Sequence, residues 1–265
     1  MAAFLRSWGC HPNLALDRIT LCSNPLERSF TCKIDNILRN HSSIGLKILR
    51  LDLDDDPNNF LYVDSWLQVA VTPGIEELTL MLYEKYNFPC SLLSDGVRNS
   101  IRYLRLRSCA FHPTVELGPL RSLTSLRLQS VRITEDELGC FLSNSLALEQ
   151  LKLTSCKEII FLKIPCVLQQ LKSLTVMACH RLPVLESEAP NLSHIYLHRG
   201  KIKFSPGEAL EMKDFTLSHA NVICDARAEF PSIMPNLETL LLHSCQEYLR
   251  NGCSTNRSLE VLPHT

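Results

Sequence analysis

The sequence predicts an α/β solenoid, and three observations support that fold class. The phrase L-x-x-L-x-L, or a close variant, recurs nine times in 265 residues. Successive copies begin between 20 and 29 residues apart. Within each copy apolar and polar residues alternate, which is typical of a short strand with one buried face. The copies begin at Leu46, Ile75, Ile101, Leu123, Leu148, Leu171, Leu192, Met212 and Leu237.

This spacing is that of leucine-rich repeats, in which each repeat is one strand and one return segment. One strand cannot bury its apolar face alone, whereas stacked repeats share a continuous core. We therefore expect a leucine-rich-repeat horseshoe, with a parallel sheet on the concave side and short helices or irregular turns on the convex side. Residues 46–265 are assigned to the array, and residues 1–45 to an opening coil.

The opening coil and the first insertion have their own patterns. PNLALDRITL at 12–21 predicts a strand, and CKIDNILRNHSS at 32–43 predicts an amphipathic helix with Ile34, Ile37 and Leu38 on one face. Residues 52–66 predict an acidic loop with four aspartates at 52–56. The loop lacks the D-x-D-x-D-G pattern and the distant glutamate of a calcium site, so we interpret it as a solvated insertion.

The return segments differ in length and in predicted structure. ITEDELGCFLSNS at 133–145 predicts a helix capped by Thr134 and Glu137. The shorter repeats leave little room for a helix, so we expect extended or single-turn connections around 182–191 and 200–211. No polar cap is evident after the last clear strand, and SLEVL at 258–262 is interpreted as the start of a further coil in an array that ends midway.

A cysteine closes four of the copies, at Cys109, Cys156, Cys179 and Cys245. The last consensus position of a leucine-rich repeat is Asn or Cys. A small side chain with a weak donor suits the inward turn of the backbone there, so we assign these four cysteines to a structural turn. The alternative is that these cysteines, stacked on neighbouring coils, form a redox-active or metal-binding row. The same position holds Val131 in another copy, which a metal site would not tolerate.

Composition and motifs exclude several function classes. The formal net charge is −1, which disfavours a dedicated nucleic-acid binder. The sequence has no apolar run long enough for a membrane span and no secretory signal, so membrane binding is not expected. The twelve cysteines include no Cys-x-x-Cys, which fits a reducing cytoplasmic or nuclear setting. No catalytic, nucleotide-binding or metal motif is present, so no enzymatic activity, cofactor or metal is predicted.

The residues expected to carry function face outward on the concave sheet, at positions 3, 5 and 7 of the phrase. The middle copies place a basic cluster there, followed by an aromatic pair. Such a surface suits a protein or peptide partner, and the basic cluster would attract an acidic segment. The alternative is a merely solvated face. The candidate partner-binding residues are Arg105, Arg107, Arg127, Gln129, Lys152, Thr154, Met177, Tyr196 and His198.

Several stretches of the sequence carry a more specific similarity than the repeat consensus. The chain resembles plant (grass-type) F-box/leucine-rich-repeat proteins in AFLRSWGCHPNL at 3–14, DSWLQVAVTPGIEELTL at 64–80, YNFPCSLLSDG at 86–96, the stretch 100–151, and APNLSHIYLHRG at 189–200. The resemblance implies a substrate receptor of an SCF-type ubiquitin ligase, without catalytic residues of its own. In that family the F-box binds a Skp-type adaptor and the repeats hold the substrate.

The sequence departs from that family in one respect. The F-box is missing, and AFLRSWGCHPNL resembles the segment that follows it. No adaptor-binding residue can therefore be assigned, and a Skp-type adaptor is expected as a partner only if an upstream F-box exists. The alternative function is a stand-alone leucine-rich-repeat scaffold or decoy without a ubiquitin link. An immune-type sensor ranks below both, because neither a P-loop nor a membrane span is present.

Overall fold

The fold is described from a computed structural model. It describes residues 11–22, 30–41, 45–53, 60–82, 86–198, 202–207, 212–219, 222, 236–248 and 254–261, with the backbone alone at 60, 245–248 and 254–261. In chain order the strands are β1 Asn13–Leu16, β2 Ile48–Asp52, β3 Glu77–Met81, β4 Asn87–Phe88, β5 Tyr103–Arg107, β6 Ala110–Phe111, β7 Ser125–Gln129, β8 Gln150–Thr154, β9 Phe161–Ile164, β10 Ser173–Met177, β11 Val184–Ser187, β12 His194–His198, β13 Lys203–Ser205, β14 Asp214–Ser218, β15 Thr239–Tyr248 and β16 Ser254–Val261.

One long sheet organises the described part of the molecule. Its strand order is β1-β2-β3-β5-β7-β8-β10-β12-β14-β15-β16, and every pair up to β15 is parallel. The register places equal positions of successive repeat copies side by side, as in Leu104↔Leu126 and Leu151↔Leu174. The predicted α/β leucine-rich-repeat solenoid is confirmed.

The core lies behind this sheet because the phrase alternates. Leu151 and Leu153, at positions 4 and 6 of one copy, are at most 1% exposed, while Gln150, Lys152 and Thr154 face away from the core. Each new coil covers the leucines of the previous one, so burial continues along the whole stack. Truncating one of these leucines to alanine removes contacts worth about 2–5 kcal/mol.

Helices occupy the return segments of the longer repeats, apart from α1, which lies at the concave face beside β2 and β3. They are α1 Arg18–Leu21, α2 Phe30–Arg39, α3 Phe60–Ala70, α4 Asp95–Arg98 and α5 Glu135–Ser143, with a 3-10 turn at Cys90–Leu92. The capping box predicted for α5 is present: the Glu137 backbone N–H donates to the Thr134 hydroxyl, and the Thr134 N–H donates to the Glu137 carboxylate. Among the described residues, no helix has both the length and the apolar character needed to cross a bilayer.

The shorter repeats return through extended segments instead of helices. Strands β9, β11 and β13 pair in parallel as a second, three-stranded sheet on the convex side. A strand rises about 3.3 Å per residue and a helix only 1.5 Å, so extended backbone spans the return with fewer residues. The extended connections predicted around 182–191 and 200–211 are confirmed at β11 and β13.

Three local predictions need correction. The strand predicted over 12–21 ends at Leu16, because the Asp17 side chain accepts from the Thr20 N–H and caps α1. The loop predicted over 52–66 is helical from Phe60 onward, and its aspartates at 54–56 lie outside the described residues. The segment SLEVL begins no further parallel coil, since β16 returns antiparallel against β15.

Candidate functional site on the concave sheet

The outward positions of the sheet form continuous rows across the coils. Because the strands are in register, each side chain stands beside its equivalents on the neighbouring strands, about 4.8 Å away. The central row, at position 5, reads Ala15, Arg50, Thr79, Arg105, Arg127, Lys152, Thr175, Tyr196, Thr216 and Leu241.

Four cations lie together in the middle of these rows, and we call Arg105, Arg107, Arg127 and Lys152 the cationic strip. Arg105, Arg127 and Lys152 are direct neighbours on β5, β7 and β8, and Arg107 follows Arg105 by two positions on the same strand. The other outward residues of these three strands are uncharged: Tyr103, Ser125, Gln129, Gln150 and Thr154.

The contacts within the cationic strip are with neutral groups. Arg105 Nη2 donates to Gln129 Oε1 at 3.5 Å, and the Arg127 guanidinium lies 5.2 Å from the centre of the Tyr103 ring. Arg107 Nη1 lies 3.9 Å from the Met81 sulfur. Within the described ranges, no carboxylate lies at ion-pair distance from any of the four cations. Their charge is therefore open to a ligand.

A second row of charges on the same sheet is neutralised internally. We call the six ion-paired residues at position 2 of the phrase, just before their strands, the paired-charge row: Lys47, Glu76, Glu149, Lys172, Lys213 and Glu238. Lys47 pairs with Glu76, Lys172 Nζ lies 3.8 Å from Glu149 Oε2, and Lys213 Nζ lies 3.3 Å from Glu238 Oε1. The Lys47 ammonium, through its hydrogen bond and its charge, holds the pKa of Glu76 below its ordinary value.

The rows become aromatic beyond the cationic strip. The rings of Tyr196 and His198, on β12, stack with centroids 5.9 Å apart, and Met177 stands next to His198 on the neighbouring strand β10. Thr154 precedes Met177 in the same row. The structure thus brings the predicted candidates into one surface across β5 to β12, with the charged members at one end and the aromatic members at the other.

A serine, a histidine and an aspartate form a hydrogen-bonded chain beside this surface, which sequence reasoning did not find. Ser193 Oγ lies 2.7 Å from His194 Nδ1, and His194 Nε2 lies 2.9 Å from Asp214 Oδ2. The order resembles that of a hydrolase triad. However, the His194 side chain is 55% exposed, whereas a triad acts in a site that excludes water and aims donors at an oxyanion. The geometry is that of a bridge between two coils.

The N-terminal end of the concave face holds a cavity of about 530 Å³. Sequence reasoning missed it, because the short helix α1, which was predicted as strand, closes one side of it with Ile19 while strands β1, β2, β3 and β5 form the rest. It adjoins the cationic strip through Arg105. The lining residues are Ala15, Leu16, Asp17, Ile19, Arg50, Leu51, Asp52, Glu77, Thr79, Met81, Tyr103 and Arg105.

The cysteines predicted for the turn have two different placements. Cys109, Cys156 and Cys179 each lie two residues beyond a strand and are at most 1% exposed. The residue before each has a left-handed backbone, with φ between 52° and 54° at Ser108, Ser155 and Ala178. Cys245 lies instead inside β15, because the antiparallel partner β16 keeps that strand hydrogen-bonded past the position where the others turn.

The buried cysteines contact backbone carbonyls and one another. The Cys156 thiol lies 3.7 Å from the Leu128 and Thr154 oxygens, and the Cys179 thiol lies 3.6 Å from the Met177 oxygen. Burial raises the pKa of Cys109 to about 12, and a hydrogen bond with Cys179 together with burial raises the pKa of Cys156. The Cys109 and Cys156 thiols are therefore weak nucleophiles, whereas the hydrogen bond with Cys156 lowers the pKa of Cys179. No cluster of metal-ligating side chains occurs among the described residues.

Comparison with known proteins gives one family. Neither a curated protein nor a solved structure matches the chain. Residues 37–261 match the family described as At1g61320/AtMIF1, LRR domain, a stretch that covers every strand of the concave sheet except β1. The match and the parallel in-register sheet agree, and the chain belongs to this leucine-rich-repeat family.

Proposed function

We propose that this chain is a protein-recognition module that binds an acidic segment of a partner on its concave sheet. The observation that carries the proposal is the cationic strip, four cations that no described carboxylate neutralises. A leucine-rich-repeat domain presents an extended concave surface for such contacts. Arginine forms short, two-pronged bonds with carboxylates, so Arg105 and Arg127 suit this ligand.

The experiment is a binding measurement with a defined acidic probe. A fluorescein-labelled peptide of alternating glutamate and serine is titrated with the chain and with the Arg105→Glu/Arg127→Glu variant, and fluorescence anisotropy is recorded. The proposal predicts saturable binding to the unchanged chain that the variant loses. Equal binding by both proteins, or by neither, would overturn it.

Within this proposal, the partner is a substrate presented to an SCF-type ubiquitin ligase. The support is the resemblance of residues 3–14, 64–80, 86–96, 100–151 and 189–200 to plant F-box/leucine-rich-repeat proteins. The alternative is a scaffold or decoy that binds the same partner without a ubiquitin link.

We assign the module to the cytoplasm or nucleus on its cysteine usage, which a fluorescent fusion tests directly.

A pull-down of a Skp-type adaptor separates these two functions. The chain as given is compared with a version extended through any F-box that the upstream transcript encodes. Binding by the extended version alone supports the substrate receptor. Binding by neither supports the stand-alone scaffold. Binding by the chain as given would overturn the assignment of residues 1–45 to an opening coil and reveal a docking element there.

A further inference from the structure

The cavity beside the cationic strip has an apolar rim. Ile19, on α1, is 92% exposed, although an isoleucine side chain gains free energy when it is buried. Met81 and Tyr103 line the same cavity from β3 and β5. Ligand sites are typically concave and lined by apolar and aromatic side chains with a few polar groups, which is the combination found here.

Three charged residues that line the cavity, Arg50, Glu77 and Asp17, are occupied by one another or by the backbone, while a fourth, Arg105, also belongs to the strip. Arg50 Nη2 lies 3.3 Å from Glu77 Oε2, and the Asp17 carboxylate caps α1. An anionic ligand group would therefore meet carboxylates in the cavity and four open cations on the strip. The anionic part of a ligand belongs on the strip, and a neutral apolar part belongs in the cavity.

Two residues join the cavity to the strip. Arg105 lines the cavity and is also a member of the strip. Tyr103 also lines the cavity, and its ring lies 5.2 Å from the Arg127 guanidinium. The two features are therefore one continuous surface that a single ligand can cover.

We propose that the cavity and the cationic strip form one two-part site for an extended peptide, with acidic residues on the strip and a large apolar side chain in the cavity. This inference rests on the proposed function and specifies the sequence of the partner segment. A lone small anion would satisfy Arg105 and Arg127 without reaching Ile19, whereas an extended chain covers both.

The sheet geometry fixes the spacing within such a peptide. The cavity is centred between β2 and β3, and the strip is centred on β7, about two and a half strand separations away. At about 4.8 Å per separation, the distance is roughly 12 Å. An extended chain advances about 3.3 Å per residue. The apolar residue therefore lies about four positions from the centre of the acidic group.

A displayed library of random linear dodecapeptides tests the inference on the whole chain. The enriched sequences are expected to contain two or more acidic residues, with Leu, Ile, Met, Phe, Tyr or Trp three to five positions away. Acidic enrichment without an apolar residue at that spacing would overturn the two-part site and leave the proposed function standing. Absence of acidic enrichment would overturn both.

Two variants then locate the apolar half on one enriched peptide. Ile19→Ser is expected to weaken binding roughly tenfold, which corresponds to the loss of one buried aliphatic contact. The matched control is Val115→Ser, since Val115 is 84% exposed and lies outside the concave strands. Both side chains are exposed, so both variants should fold. Equal affinities of the two variants would place the apolar residue elsewhere and contradict the inference.

Discussion

The paired-charge row and the cationic strip lie on the same sheet, yet their charges are arranged in opposite ways. In the paired-charge row each lysine stands beside a glutamate of an adjacent coil, as in Lys47 with Glu76 and Lys172 with Glu149. Along the strip Arg105, Arg127 and Lys152 carry the same sign on three adjacent strands. Opposite charges on neighbouring strands stabilise a sheet and like charges destabilise it.

This difference separates charges that serve the fold from charges that are open to a partner. The pairs of the first row link consecutive coils, although each exposed pair contributes at most about 1 kcal/mol. Among the described residues, the cations of the strip contact neutral groups such as Gln129 and the Tyr103 ring. If an acidic segment binds there as proposed, it relieves their repulsion, and the residues that weaken the sheet then strengthen the complex.

The largest expected effect is on partner affinity. Arg105→Glu/Arg127→Glu should weaken binding of an acidic peptide by a factor of ten or more, because carboxylates then meet like charge. The free energy of unfolding should change by less than about 1 kcal/mol, since both side chains are on the surface. Anisotropy titration and urea denaturation measure the two quantities.

The matched control makes the same change of charge on the other row. Lys172→Glu/Lys213→Glu also lowers the net charge by four, but removes two members of existing pairs. Peptide affinity should fall much less than in the strip variant. If both variants lose affinity equally, binding depends on the overall charge of the protein and the comparison between the two rows fails.

The salt dependence of binding is the next largest effect. Raising the ionic strength from about 0.05 M to 0.5 M shortens the screening length several-fold and should weaken acidic-peptide binding by roughly a factor of five. The titration is repeated at four salt concentrations with the unchanged chain. Affinity that is independent of salt would show that apolar contacts, and not the cationic strip, dominate binding.

Removing one charge of the cationic strip should change the free energy of unfolding and the peptide affinity in opposite directions. Arg127→Gln relieves the repulsion from Arg105 and Lys152, so the free energy of unfolding should rise by a few tenths of a kcal/mol. Acidic-peptide affinity should fall at the same time. Thermal and urea unfolding measure the first change and anisotropy the second. A destabilised variant would show that the contact with Tyr103 outweighs the repulsion.

The smallest effect concerns the paired-charge row at low pH. Lys47 lowers the pKa of Glu76 in the folded protein, so the pair contributes stability above the ordinary carboxyl pKa and loses it as the pH falls through the folded pKa. Between about pH 5 and pH 3, the free energy of unfolding of Glu76→Gln should therefore fall less steeply than that of the unchanged chain. Parallel slopes in urea titrations would show that the pair makes no net contribution.

Much of the sheet could be predicted because one phrase determines it. A slip of one residue would turn Leu104 and Leu106 outward, so the alternation fixes which residues are buried and which share a row. The capping box at Thr134 is likewise a local pattern that needs no tertiary information. The arrangement of Arg105, Arg127 and Lys152 as neighbours follows from the same register, while their role in binding stays a prediction.

The remaining features depend on contacts between distant segments. Cys245 was expected in a turn, yet β16, which pairs with β15, determines its backbone. Helix α3 follows a run of aspartates that pointed to a loop, and its Trp66 and Leu67 are buried in the core. Predicting the cavity would have required the position of α1. No repeat pattern gives that position, nor that of its side chain Ile19.

Zero-length crosslinking tests the central claim most directly. A carbodiimide activates a carboxylate of the bound acidic peptide, and a lysine amine in contact with it then forms an amide. Lys152 is the one lysine of the cationic strip, whereas Lys172 and Lys213 belong to the paired-charge row. Peptide mapping by mass spectrometry should find the crosslink at Lys152, and a Lys152→Arg variant should lose it. Crosslinks concentrated at Lys172 or Lys213, with Lys152 unmodified, would contradict binding on the cationic strip.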